Sequence, residues 1–335
     1  MSRVTVESMS GRHPAEIAFL QQLYEAMSRG DQPPGVRDET PEKEVNEAVE
    51  QILPFVLEPD AIDQAPLVGA LPLGRPVADL LPVPESDRCV VLVERQFPVL
   101  AHLVAKALVA ALPTREDGDR LQLHLDDESW AATLTAGHPA VQRFVEAMVA
   151  TQLAGPGSAP EYVGDPELEP VVSTVRQVIE WFEVAQPYAH FAAGHHTTAG
   201  RRPWLESLGS YECFAWTADQ DHEAAARASM AVLNRARQAF GDVRMAAWAL
   251  DSWLTMRMLI AGGAAVVQRL GQEAFDSLVE AHAERRGLYR AILEQDEELR
   301  PSLALVALLE PIMAQFWEHS VQALMALEAS EPHGE

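Results

Sequence analysis

Along the chain, long stretches in which apolar residues recur at helical spacing alternate with shorter stretches that show no such repeat. Apolar side chains recur at helical spacing over residues 14–29 and 42–57, and the connector between them is rich in Gly, Pro and Asp. After residue 128 the helical period continues almost to the end of the chain. The helices predicted there cover about residues 128–135, 139–153, 168–194, 218–239, 243–261, 271–296 and 301–328.

Two stretches carry the pattern of strands. Arg88–Glu94 (RCVVLVE) is a short apolar run that leads into a helix over about residues 98–112, and Leu121–Leu125 follows a polar turn. Residues 61–84 are interrupted by proline and show no period. The pattern therefore predicts a mostly α fold with a small β-sheet.

The domain organisation follows from the same pattern. The most polar loop, residues 155–167, separates helices that are too apolar to stand alone in water. We therefore expect one mostly helical domain over residues 41–335, preceded by a loosely attached N-terminal extension over residues 1–40.

The amino-acid composition limits the kinds of function and partner that we expect for this protein. Asp and Glu number 50 against 25 Lys and Arg, which gives a formal charge of −25. A surface of that sign repels phosphate backbones and anionic lipid, so we expect no nucleic-acid partner and no membrane partner. The first residues lack the apolar segment of a signal peptide, which predicts a cytoplasmic protein. The preference for Arg over Lys, with abundant Ala and Pro, indicates GC-rich coding and a bacterial source.

The two cysteines and the absence of common motifs exclude several kinds of chemistry. Cys89 and Cys213 form no CxxC pair and no disulfide framework, so both are predicted to pack as small apolar residues. The chain contains no GxxxxGK[ST], GxGxxG or GxSxG sequence. Phosphate-binding loops and the serine hydrolase elbow are therefore unsupported.

Potential ligands are most concentrated between Trp181 and Gly200 (WFEVAQPYAHFAAGHHTTAG). Three of the eleven histidines, His190, His195 and His196, lie there within seven residues. On a helix, Glu183, Gln186 and His190 would lie within about 60° of one another, beside an apolar stripe. That arrangement is typical of a polar cleft, which we expect between helices 168–194 and 218–239. The alternative is a buried His190 that is hydrogen-bonded to Gln186 or Glu183.

The segment AQPYAHFAAGHH resembles the zinc helix of HExxH metallopeptidases of the gluzincin type. In this alignment Gln186 and Pro187 replace the first histidine and the catalytic glutamate, whereas His190 and the step Gly194-His195 fit. Zinc peptidases need two imidazoles at i and i+4 and a carboxylate at i+1. The resemblance therefore implies a zincin-like helical domain whose zinc motif is degenerate.

Flanking segments extend the resemblance over about residues 85–260. The sequence RCVVLVERQFPVLAHLVAKAL is similar to the strand and helix that precede the zinc helix in these peptidases. In TADQDHEAAARASMAVL, the resemblance implies a third ligand at Asp221 or Glu223. The same acidic residues have a structural alternative. Thr217-x-x-Gln220 is a capping-box pattern, and acidic side chains are favoured in a first helical turn.

Three functions follow as hypotheses. The first is a degenerate metallopeptidase-like protein without zinc peptidase activity that acts as a binding or regulatory protein, with a protein or peptide as its partner. The second is a metal-dependent hydrolase with a rearranged site. The third is a metal-free enzyme that uses the His190 cleft.

The second hypothesis names five candidate ligands. The metal ion would be bound by His190, by His195 or His196, and by Asp221 or Glu223. Glu183 and His190 are the candidate catalytic residues. The metal ligands are compatible with zinc, whereas the first hypothesis does not favour a bound zinc ion. His190 and His195 are about 140° apart on a continuous helix, so they can reach one ion only if the helix ends near Gly194.

Overall fold

The computed structural model describes residues 13–28, 40–73, 78–117, 120–123, 138–204, 211–267 and 271–330. Within those ranges the chain is mostly helical with a small mixed sheet, as the apolar pattern predicts, and it also carries two short hairpins. The helix predicted over residues 128–135 lies outside the described residues.

The helices of the described ranges are numbered here in chain order. They are α1 (Pro14–Ser28), α2 (Thr40–Val56), α3 (Phe97–Ala110), α4 (Pro139–Ala154), α5 (Glu169–Ala192), α6 (Ala218–Phe240), α7 (Arg244–Val267), α8 (Gly271–Gln295), α9 (Arg300–Leu308) and α10 (Glu310–Ser330).

The strands form one three-stranded sheet and two hairpins. They are β1 (Leu67–Leu71), β2 (Ala78–Pro82), β3 (Cys89–Glu94), β4 (Thr114–Asp117), β5 (Arg120–Leu123), β6 (Gly200–Pro203) and β7 (Glu212–Ala215). The sheet has the order β1-β3-β2, in which β3 is parallel to β1 and antiparallel to β2. The central strand β3 is buried at all six positions, which explains the apolar run from Cys89 to Val93.

Contacts between Cα atoms divide the chain into two units, and each unit is built from two segments. Unit 1 comprises residues 1–98 and 180–239, and unit 2 comprises residues 99–179 and 240–335. The domain boundary predicted at residue 40 remains a prediction.

The core of unit 1 lies between α1 and the three-stranded sheet. Phe19, Leu20 and Leu23 of α1 share one apolar cluster with side chains of all three strands. Gly69 makes this approach close, because a Cβ atom there would lie 2.7 Å from a methyl group of Leu20. Part of the segment predicted as a loosely attached extension is therefore packed into the core.

Unit 2 is arranged around α7, which packs against α4, α8, α9 and α10. Phe144 of α4 meets Phe316 of α10 edge to face, with ring centroids 5.3 Å apart. Gln152 of α4 donates its side-chain N–H to the carbonyl oxygen of Ile260 at 2.8 Å. The apolar character of α7 reflects its central position.

Two expectations for the elements need correction. The helix predicted over residues 301–328 is two helices, which meet at Leu309. Pro311 accounts for the break, because in a continuous helix its ring would collide with the carbonyl of Ala307. The stretch without a period over residues 61–84 contains β1 and β2, and the hairpin β6–β7 was also missed. Among the helices of the described ranges, none combines the length and apolar character needed to cross a bilayer.

Candidate functional site

The site begins where α5 ends, two residues after His190. Gly194 has φ +73°, the left-handed conformation that glycine adopts without strain, and it caps the helix. His195 then starts a short 3₁₀ turn over residues 195–197. The sequence analysis required the helix to end near Gly194 if His190 and His195 were to come together. The helix does end there.

The two imidazoles are in direct contact. The Nδ1 atom of His190 lies 3.1 Å from the Nδ1 atom of His195, and both side chains are buried. The rings are tilted by 69° with centroids 5.2 Å apart. This is hydrogen-bond geometry, in which one ring donates and the other accepts.

The first two turns of α6 bring carboxylates to the outer nitrogens. Asp221 Oδ1 lies 3.2 Å from His190 Nε2, and Glu223 Oε2 lies 3.2 Å from His195 Nε2. The four groups form an unbroken sequence Asp221–His190–His195–Glu223, which we call the histidine line. Two candidate ligands from α6 thus lie beside two histidines from the end of α5.

The start of α6 is fixed by the predicted capping box. The backbone N–H of Gln220 donates to Thr217 Oγ1, and the backbone N–H of Thr217 donates to Gln220 Oε1. The amide of Gln220 also donates to Thr198 Oγ1 at 3.2 Å, next to the 3₁₀ turn. The cap therefore both starts the helix and ties it to the segment that carries His195.

Exposure differs sharply along the line. The side chains of His190 and His195 are 3% and 8% exposed, whereas those of Asp221 and Glu223 are 32% and 61% exposed. Both ends of the line therefore meet solvent, and its centre does not.

An aromatic stack covers one face of His190. Trp216 lies parallel to the imidazole, with centroids 4.1 Å apart and a 19° angle, and Phe214 stacks on the far face of Trp216 at 4.9 Å. The guanidinium of Arg201, the cross-strand partner of Phe214, lies 4.0 Å from the Phe214 ring centroid. The sequence analysis missed Trp216, although the alternation of Phe214 and Trp216 before the helix cap was a signal for it.

His196 lies outside the histidine line. Its half-buried ring stacks on Phe191 and meets the edge of Phe214. Burial lowers the pKa of His196, and the neighbouring charges of Arg201 and His195 lower that pKa further. Of the five predicted ligands, the structure therefore brings four together and leaves His196 against an aromatic surface.

The remaining candidates lie along α5. Glu183, two turns before His190, and Gln186, one turn before it, are both buried. The helix continues through Pro187. Within the described ranges, no three His, Cys, Asp or Glu side chains are arranged so that they could hold one metal ion.

The chain was compared with family models, with curated proteins and with solved structures, and none of these comparisons gave a match. The resemblance to gluzincin-type peptidases stays a prediction from the motif.

Proposed function

We propose that the protein is a metal-independent enzyme that transfers protons through the histidine line. The observation that supports this proposal is the unbroken series of three contacts Asp221–His190–His195–Glu223, at 3.2, 3.1 and 3.2 Å. The chemistry follows from counting the protons that those contacts need.

A carboxylate accepts hydrogen bonds only, so each Nε2 atom must carry a proton to face its carboxylate. The contact between the two Nδ1 atoms needs one more. Two neutral imidazoles carry two protons in all, and the line uses three. The pair is therefore satisfied as one imidazolium and one imidazole that share a proton, with a carboxylate at each end.

The charge of such a pair is compatible with its burial. An isolated buried cation is strongly disfavoured, but two carboxylates in hydrogen-bond contact offset the loss of hydration. The ends of the line are accessible to solvent or substrate. When the Nε2 proton of His190 passes to Asp221, the shared proton settles on Nδ1 of His190 and both imidazoles become neutral. Asp221 would then give that proton to the substrate, and a proton taken back by Asp221 and returned to His190 Nε2 restores the starting state. Positioned acid–base groups of this kind accelerate reactions by about 10²–10⁴-fold.

The zinc chemistry implied by the peptidase resemblance fits these residues less well. Both Nε2 atoms face carboxylates and the two Nδ1 atoms face each other, whereas zinc sites of hydrolases take three protein ligands on one ion. Gln186 supplies a neutral amide and Pro187 supplies no base. We therefore assign no reaction step to a metal ion.

A second candidate is a peptidase-like protein that binds a protein or peptide partner without catalysis. Its support is the burial of both imidazoles, together with the indole of Trp216 that covers His190. For either function we propose a bacterial cytoplasmic setting, because both cysteines are free and buried and the composition indicates GC-rich coding.

The first test is spectroscopic. A shared proton between two imidazoles gives a strongly deshielded, slowly exchanging proton resonance. That resonance should be present in the parent and lost in both His190→Asn and His195→Asn. It should persist in His196→Asn, the matched control, which removes a neighbouring imidazole outside the line. A parent without the resonance would contradict the proposal.

The second test separates the functions. A screen of ester and peptide substrates should show turnover that survives a chelator and is lost in His195→Asn but not in His196→Asn. Stoichiometric zinc that is lost on His190→Ala would instead support the rearranged metal site. A shared proton without turnover on any substrate would favour the binding protein.

A further inference from the structure

The imidazole of His190 must keep one orientation for the histidine line to exist. Rotation about its Cβ–Cγ bond has broad, roughly two-fold preferences, so the side chain alone does not fix the ring plane. A rotation of the ring out of its present plane moves both nitrogen atoms away from their partners. Such a rotation would remove the contacts to His195 and Asp221 together.

We propose that Trp216 is the positioning residue that holds this ring plane. The indole covers one face of the imidazole at 4.1 Å with an angle of only 19°, so rotation of His190 out of its plane would drive the ring into the indole. Trp216 also lies 6.4 Å from the His195 ring, at the place where the two imidazoles meet. This inference rests on the proposed function, because it concerns the same line.

Trp216 is supported from its outer side. Phe214, in β7, precedes it by two residues and stacks on the indole at 23°. Arg201, opposite Phe214 in the β6–β7 register, covers the outer face of that ring. His190, Trp216, Phe214 and Arg201 thus form one continuous stack, which we call the aromatic ladder.

The ladder ends in a guanidinium on its outer side. The face of the Phe214 ring attracts that cation, so Arg201 helps to hold the outer ring in place. A leucine at position 216 would supply bulk but neither a flat surface nor a π face.

The test follows the shared-proton resonance in three full-length variants. Trp216→Phe keeps a flat ring, so the resonance should persist. Trp216→Leu should lose it or broaden it beyond detection. Trp248→Leu removes a buried tryptophan from unit 2 and should leave the resonance unchanged, which controls for a general loss of stability.

The outcomes separate this inference from the proposed function. If Trp216→Leu keeps the resonance, Trp216 does not position His190, although the line itself stands. If Trp216→Leu does not fold, Phe214→Leu replaces it, because it removes the outer support and leaves the indole. A resonance unchanged in Phe214→Leu would overturn the ladder. A parent that lacks the resonance would refute the proposed function itself.

Discussion

The histidine line of unit 1 and an ionic cluster of unit 2 each join two carboxylates to two nitrogen-containing side chains, which are imidazoles in the first and guanidiniums in the second. In unit 2, the carboxylate of Asp251 on α7 is 2% exposed and accepts hydrogen bonds from both Arg286 and Arg290 of α8. Glu310, at the start of α10, accepts from the same two guanidiniums. We call these four residues the arginine cluster.

The two sites differ in the hydrogen-bond donors that face their carboxylates. Guanidinium groups stay protonated in proteins and present several N–H donors in a fixed fork, so the arginine cluster keeps its charge at any pH near neutral. Hydrogen bonds to Asp251 raise the pKa of Arg290 still further. A nitrogen of an imidazole ring can either donate or accept a hydrogen bond. The arginine cluster therefore has one fixed assignment of donors, whereas either ring can donate in the contact between His190 and His195.

The largest effect should come from Asp251→Ala, which leaves two guanidiniums without their buried partner. We expect a loss of about 3–5 kcal/mol in the free energy of unfolding, with little dependence on pH between 6 and 8. Urea unfolding of the full chain measures the loss, and hydrogen exchange should show it in α7 and α8. The exposed pair Lys43–Glu47 provides the control, since Glu47→Ala should change the free energy of unfolding far less than Asp251→Ala does.

A smaller loss is expected for His195→Asn. Removing one member of a buried hydrogen-bonded series costs about 1–3 kcal/mol. Because His195 contacts both His190 and Glu223, hydrogen exchange should show the loss at the end of α5 and in the first turns of α6. An unchanged free energy of unfolding would show that the line does not stabilise the fold.

Thr217→Ala tests the cap that presents Asp221 and Glu223. The loss of the Thr217 side-chain acceptor should lower stability by about 1 kcal/mol. Thr217→Ser keeps the hydroxyl and should restore most of that stability. The shared-proton resonance should weaken in the alanine variant, and if it does not, the line is positioned without the cap.

The smallest effect on stability is expected at His196, which directly follows His195 in the chain. The pKa of His196 is lowered in the folded chain, so the unfolded chain binds a proton first as the pH falls below about 6.5. Stability present above that pH is therefore lost on acidification. His196→Phe should remove this loss, so that its stability relative to the parent rises between pH 7 and pH 5. Urea unfolding at the two pH values measures the change. A constant difference would show that His196 does not contribute.

The sequence predicted the long helices because their apolar spacing repeats over many turns. It also placed His190, His195, Asp221 and Glu223 among the candidates, since Gly194 offers a helix stop and Thr217 a helix start. These signals are local, and each can be read within a few residues. The proposed roles of the four side chains stay predictions.

The sequence did not reveal which distant segments of the chain pair with each other. Strand β1 pairs with β3 in parallel, from Leu67 opposite Val90, and nothing near residue 67 reveals that partner. Trp216 was missed for the same reason, because its contact with His190 joins segments on either side of the hairpin β6–β7. In contrast, the break at Leu309 was readable, since Pro311 follows within two residues.

The division of each unit into two chain segments has a consequence for synthesis. Unit 1 cannot be completed when residue 98 has been made, because residues 180–239 belong to it and about eighty residues of unit 2 come between. At roughly 5–20 residues per second, that interval lasts about 4–16 s. During this time α1 and the three-stranded sheet lack Trp204 and Cys213, which belong to the same apolar cluster, so part of that cluster stays uncovered and can contact chaperones or wrong partners. Completion of unit 1 must precede that of unit 2, whose second segment is translated last.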